Sequence, residues 1–173
     1  YKNKKYNFEF KYPPTWSSIE STAPGNPYLA FIELGPKSFI QSGGVMSVTV
    51  RNQTEKDYLN VLKEAGFQLV QRTDILIGEI KASHYEFSRT LGSGEKDNSK
   101  IVVAVKDGFL YEINVGSNLA IYRSIFDQII STFKFTGPQS QTALFITLLS
   151  PNGGETLKAG ETYTIKWTSS GID

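Results

Sequence analysis

Ile101-Val102-Val103-Ala104-Val105 is apolar at every position, and after Lys106 comes Asp107-Gly108. A strand with one wet face alternates polar and apolar side chains, so an unbroken apolar run has to be covered on both faces. Asp-Gly is the two-residue turn whose backbone twist matches that of paired strands, so Phe109 to Val115 returns antiparallel to the first strand. A chain containing this hairpin must build a sheet with a packing layer on each side.

Two helices are available as layers. Tyr122, Ile125, Phe126, Ile129, Ile130 and Phe133 recur at i, i+3, i+4, i+7, i+8 and i+11 behind an expected Asn118 cap, which gives one wide apolar face. Burying six such side chains at about 2 kcal/mol each is worth on the order of 10 kcal/mol before chain entropy is subtracted. The other helix opens at Thr54-Glu55-Lys56-Asp57, with threonine as N-cap and a carboxylate near the positive end of the helix dipole. Tyr58, Leu62 and Ala65 form its stripe, flanked by Leu59 and Val61, and Gly66 ends it in the left-handed conformation.

The remaining strands follow from alternation and from punctuation by Gly, Pro and Asn. Tyr6 to Tyr12 is an aromatic strand in which Phe8, Phe10 and Tyr12 share a face opposite Glu9 and Lys11, ended by Pro13-Pro14 before Trp16. Its aromatics are expected in the core, against the Tyr122 to Phe133 helix. A loop-prone run from Ser21 to Pro27 precedes a strand from Tyr28 to Leu34, ended by Gly35-Pro36. Gly44 to Asn52 resumes a strand with Val45, Ser47 and Thr49 facing away from Met46, Val48 and Val50. Phe67 to Ile77 is a kinked strand. Glu79 to Leu91 is another, with Tyr85 and Phe87 on one face and His84 and Glu86 on a polar one. Gly92 to Ser99 is a mobile hairpin tip.

At 173 residues the chain has room for a medium domain and a fragment of another. It has no cysteine, which removes disulfides, thiolate metal sites and cysteine nucleophiles. A net charge of +1 gives no field that would gather nucleic acid or anionic lipid, and Lys2, Lys4 and Lys5 read as a solvated terminus. No apolar run reaches the roughly 20 residues of a membrane helix, and no signal-peptide pattern is present, so direct membrane insertion of this segment is not expected. Because the chain starts at Tyr1, an upstream segment is expected to have been processed or left out.

The chemistry on offer is sparse. General acid–base work and hydrolase triads draw on histidine, and His84 is the one histidine. With Glu86 on the same face it makes a two-ligand candidate metal site, short of the three or four protein ligands that zinc takes. Glu95, Asp97 and Asn98 lack the spacing of an EF-hand loop, and Gly92-Ser93-Gly94 lacks the lysine and helix of a phosphate loop. Tyr12, Trp16 and Tyr28 are candidates to line a ligand or partner groove, although core packing is the default for aromatics. No catalytic residue and no cofactor is assigned, and the chain is read as not an enzyme.

Residues 1–136 resemble the PsbP-like family. The resemblance rests on the opening strand with Tyr12-Pro13-Pro14-Thr15-Trp16, the intervening strands and short helix, and the closing helix that ends Phe126-Asp127-Gln128-Ile129-Ile130-Ser131-Thr132-Phe133-Lys134-Phe135. It implies an α+β fold, an antiparallel sheet flanked by helices as an α/β/α sandwich. No metal site of the photosynthetic members maps onto this sequence. After a linker at 137–142, residues 143–173 resemble the start of the Ser/Thr-rich cell-wall-associated β-sandwich modules, Ig- or fibronectin-like in form. That resemblance rests on Ser150-Pro151-Asn152-Gly153-Gly154-Glu155-Thr156 and Gly160 to Ser169. Here Ala143 to Leu149 and Thr162 to Trp167 are the expected strands.

Together the two resemblances imply an exported or surface-anchored chain carrying a non-catalytic binding or assembly module. Its partner would be a protein or a cell-envelope component, met through loops 21–27, 36–43 and 92–99. The edges of the C-terminal strands would be open to pairing with the first domain or with another chain. The alternative is an extracytoplasmic ligand- or metal-binding domain, weakly enzymatic, with its site near His84, Glu86 and Trp16.

Overall fold

A computed structural model describes residues 1–21, 28–38, 40, 44–116, 120–137 and 145–170. The chain divides into two compact units, Tyr1–Gly137 and Pro138–Asp173. The fold class is α+β, with a large antiparallel sheet and two helices.

Three segments of the first unit form a small sheet of their own: β1 (Lys2–Asn3), β2 (Phe8–Glu9) and, from the far end of the unit, β10 (Lys134–Phe135). The main sheet has seven strands: β3 (Trp16–Ser21), β4 (Ala30–Pro36), β5 (Met46–Arg51), β6 (Gln68–Ile77), β7 (Ile80–Thr90), β8 (Lys96–Lys106) and β9 (Phe109–Val115). Their spatial order is β3-β4-β5-β9-β8-β7-β6, every neighbouring pair antiparallel. The helices are α1 (Glu55–Glu64) and α2 (Arg123–Thr132), the latter entered through a 3-10 turn at Ala120–Tyr122.

The β8–β9 hairpin sits centrally, as its composition requires. Strand alternation sends Val102 and Ala104 to one core, with Tyr111, Ile113, Val48 and the α2 residues Phe126 and Ile129. Ile101 and Val103 go to a second core, with Tyr85, Phe87, Leu110 and the α1 residue Tyr58. Met46, Val48 and Val50 join the α2 core together, as the alternation of β5 predicts. All six residues of the α2 stripe are buried or packed against that core.

α1 begins where its cap was expected, with the Thr54 hydroxyl accepting from the Asp57 amide at 3.1 Å. At its end the Gly66 amide donates to Lys63 and the Phe67 amide to Leu62, both at 3.0 Å, with Gly66 at φ +86°. These bonds satisfy the last free carbonyls of the helix.

Several boundaries differ from expectation. The aromatic segment is a strand over Phe8–Glu9 alone: Asn7 is left-handed at φ +52° on one side, and on the other the Phe10 amide makes the last bond in the β1 register, to the Tyr1 carbonyl, before the Lys11 amide turns to the Thr132 hydroxyl. Its side chains nevertheless go where expected: Phe8 and Phe10 are buried and both stack on Phe133. Residues 16–21 were not expected as a strand. Trp-Ser-Ser-Ile-Glu-Ser carries little apolar signal, which an edge strand tolerates. β4 runs through Gly35-Pro36 instead of ending before them. β8 starts at Lys96, so the expected tip at residues 92–99 shrinks, and Asp97 is held by the Arg89 Nε at 2.8 Å. Asn118 lies outside the described residues.

In the second unit β11 (Phe145–Ser150) pairs antiparallel with β12 (Lys166–Ser170). The second strand starts four residues later than the Thr162 expected for it, and Trp167 within it is 54% exposed.

Candidate functional site

β7 places His84 and Glu86 on one face, as alternation predicts, but that face lies beneath α2 and is not simply polar. The His84 ring centroid is 6.2 Å from that of Phe126, and its Nε2 is buried with no hydrogen-bond partner. Lys100, directly across from Glu86 on β8, places its ammonium 3.7 Å from Glu86 and 3.8 Å from Asp127 of α2. Burial lowers the His84 pKa, Lys100 lowers it further, and Glu86 and Asp127 act in the opposite sense. The imidazole is therefore held neutral, since both burial and a nearby cation disfavour its charged form. A cation between His84 and Glu86 would share that space with an ammonium group. Among the described residues no group of three His, Asp or Glu converges as metal ligands do.

Tyr12, Trp16 and Tyr28 do not form one surface. Trp16 is 5% exposed and meets Tyr122 edge-on, with ring centroids 5.3 Å apart. Tyr12 is half-buried beside Phe10, its hydroxyl 3.3 Å from that of Ser18. Tyr28 stacks on Phe31 at 5.2 Å, on the opposite face of the sheet. Of the loops expected to meet a partner, residues 22–27, 39 and 41–43 lie outside the described residues.

A polar cluster on that same α1 face, around Glu112, is not marked by any local motif. Glu112, in the middle of β9, is 3% exposed. Its Oε2 accepts from Arg51 Nη2 at 2.6 Å, from Arg51 Nε at 2.9 Å and from the Thr49 hydroxyl at 2.9 Å, and Asn114 donates to its Oε1 at 3.3 Å. The Arg51 guanidinium also lies over the rings of Tyr28 at 4.3 Å and Tyr58 at 5.2 Å. Burial, and then the charge of Glu112, raises the Tyr58 pKa far above that of a free phenol. The sequence signal was a single carboxylate inside Phe109 to Val115, the kind of charge that enters an interior only when paired.

Beside the start of α1 an open groove of about 640 Å³ is lined by Glu55, Arg72, Asp74, Leu76, Lys81 and Val105, among others. The Tyr85 hydroxyl donates to Glu55 at 2.6 Å, and Arg72 donates to the Ser83 hydroxyl at 3.1 Å. Glu55, Arg72 and Asp74 are thus engaged with neighbours, Arg72 with Asp74 at 3.0 Å as well, and Leu76 and Val105 make part of the wall apolar.

Neither a protein-family model nor a curated protein matches the chain. Among solved structures, cyanobacterial PsbP (CyanoP) from Synechocystis sp. PCC 6803 is similar at 14% identity and a TM-score of 0.52, over 78% of this chain and 90% of that one. A Pseudomonas aeruginosa protein of unknown function aligns at 15% identity and a TM-score of 0.42, over 68% of this chain and 80% of that one. A Bacteroides thetaiotaomicron structure aligns at 12% and 0.45, over 82% and 49%. The fold is PsbP-like; at these identities the likeness concerns architecture alone.

Proposed function

We propose that this chain is a non-catalytic binding or assembly module that works outside the cytoplasm. The observation that carries the reading is the fate of its interior ionisable groups. Glu112 is spent on Arg51, Thr49 and Asn114, and Lys100 is shared between Glu86 and Asp127, while His84 is kept neutral beneath a helix. Catalytic sites instead bring such groups to a cleft where substrate can reach them.

The extracytoplasmic assignment draws support from the tail, where Ser150 to Thr156 and Gly160 to Ser169 resemble exported wall-associated modules. No helix among the described residues is long and apolar enough to cross a membrane. The partner would be a protein or an envelope component. The test is twofold: protease accessibility of the native protein on intact cells, and a panel of ester, glycoside, peptide and phosphate substrates offered to the purified chain. Surface cleavage with no turnover above blank is the expected result. Protection inside intact cells, or turnover that His84→Ala or Glu112→Gln abolishes, would refute it.

The second reading is a divalent-metal site at His84 and Glu86, and the unpartnered His84 Nε2 favours it. The Lys100 ammonium beside Glu86 weighs against it. A zinc-dependent rise in melting temperature in wild type that vanishes in His84→Ala would establish that site; equal curves with and without zinc would dismiss it.

A further inference from the structure

The main sheet ends in two edges, and β6 is one of them: among the described residues its only paired neighbour is β7. Seven consecutive residues of β6, Gln68 to Asp74, are exposed. An edge of this length offers unpaired N–H and C=O groups to any strand that meets it, and proteins commonly blunt such edges with proline, lysine or a bulge. β6 contains neither proline nor lysine. Its one bulge falls between Leu69 and Gln71, which leaves Gln71 to Ile75 regular.

That regular stretch, Gln71-Arg72-Thr73-Asp74-Ile75, is complementary to itself. In an antiparallel pair related by a two-fold axis normal to the sheet, opposed residues share a face and their numbers have a constant sum. An axis through Thr73 sets Thr73 against Thr73 and Gln71 against Ile75. It also sets Arg72 against Asp74, twice. Both charged side chains stand on the α1 face, across from Tyr85 and Ser83 of β7. They already approach each other within one chain at 3.0 Å, yet 51% and 78% of their side-chain surfaces remain exposed. Moving the axis to Arg72 or to Asp74 would oppose like charges, so charge selects one register. In that register Leu76 and Val70, the most exposed apolar residues of the strand, stand at the two ends of the seam.

The geometry points to a homodimer in which the β6 strands of two copies pair antiparallel about Thr73 and join their sheets into one. The seam is short, so the association is weak and concentration-dependent, in the manner of small transient interfaces.

The test is sedimentation of the whole chain from micromolar to millimolar protein, for wild type, Arg72→Asp and Asp74→Arg. Wild type should dimerise with rising concentration. Each reversal opposes like charges at both positions and should weaken the dimer about tenfold or more, the equivalent of about 1.4 kcal/mol. An equimolar mixture of the two variants restores opposite charges at both positions, so it should form a heterodimer that neither variant forms with itself. Because that rescue requires both variants to be folded, it separates lost pairing from lost structure. A second readout, backbone hydrogen exchange of wild type, should slow across Gln71 to Ile75 as concentration rises. A wild type that stays monomeric throughout, a dimer indifferent to both reversals, or a mixture that fails to associate would each overturn the proposal.

Discussion

Phe8 and Phe133 stack with ring centroids 5.4 Å apart and planes 13° from parallel, joining the two ends of the first compact unit. β2 and β10 pair beside them, and the Tyr111 hydroxyl donates to the Tyr6 carbonyl at 3.2 Å. The N-terminal segment is thereby fastened to the closing helix and to the sheet at once. Phe133→Ala empties a site that is 2% exposed, so it should cost about 3–5 kcal/mol of unfolding free energy. Urea denaturation checks this, and Phe133→Leu should fall between the two.

The Arg51–Glu112 pair makes a different prediction. Glu112→Ala leaves Arg51, Thr49 and Asn114 without their shared acceptor, so it should destabilise by about 3–5 kcal/mol. The double variant Arg51→Met/Glu112→Leu removes both charges and should cost markedly less than the sum of the single changes. A double-mutant cycle measured in urea reads the difference.

Because there is one histidine, its ring signals can be followed by NMR without assignment of the rest. Their titration midpoint should lie below the usual 6.5, and Lys100→Gln should move it upward. The sign for stability follows: between the lowered folded pKa and 6.5 the unfolded chain binds more protons than the folded one. This contribution is therefore fully present above 6.5 and is lost as pH falls toward the folded value. His84→Gln should flatten that part of the stability–pH curve.

Gly66 ends α1 at φ +86°, with nothing within 4 Å of where a Cβ would stand. Gly66→Ala should cost about 1 kcal/mol from backbone conformation alone, since no clash adds to it. Thermal denaturation checks the value, and a loss several times larger would mean that the position carries more than a turn.

The central hairpin, both helices and the burial of the aromatic segment were legible because each depends on periodicity or turn chemistry within a dozen residues. β3 was not, since Ser17 and Ser18 lie on an edge where burial is partial and composition is weakly constrained. Alternation correctly put His84 and Glu86 on one face. It could not say that α2 would cover that face, because the choice of face is made by the whole sheet. The Arg51–Glu112 cluster depends on β5 lying next to β9, a pairing between strands far apart in sequence. Glu112 alone marked that something polar had to answer it; nothing local named Arg51.

Trp16, shut in against Tyr122, and Trp167, half in solvent, are the two tryptophans of the chain, and each belongs to a different compact unit. The protein thus carries two intrinsic optical probes with contrasting surroundings: a blue-shifted emitter in the first unit and a red-shifted, quencher-accessible one in the second. With Trp16→Phe, the tryptophan emission that remains comes from the C-terminal unit alone, and with Trp167→Phe it comes from the first unit alone. The melting of each unit can then be recorded separately in the intact chain, with no label attached.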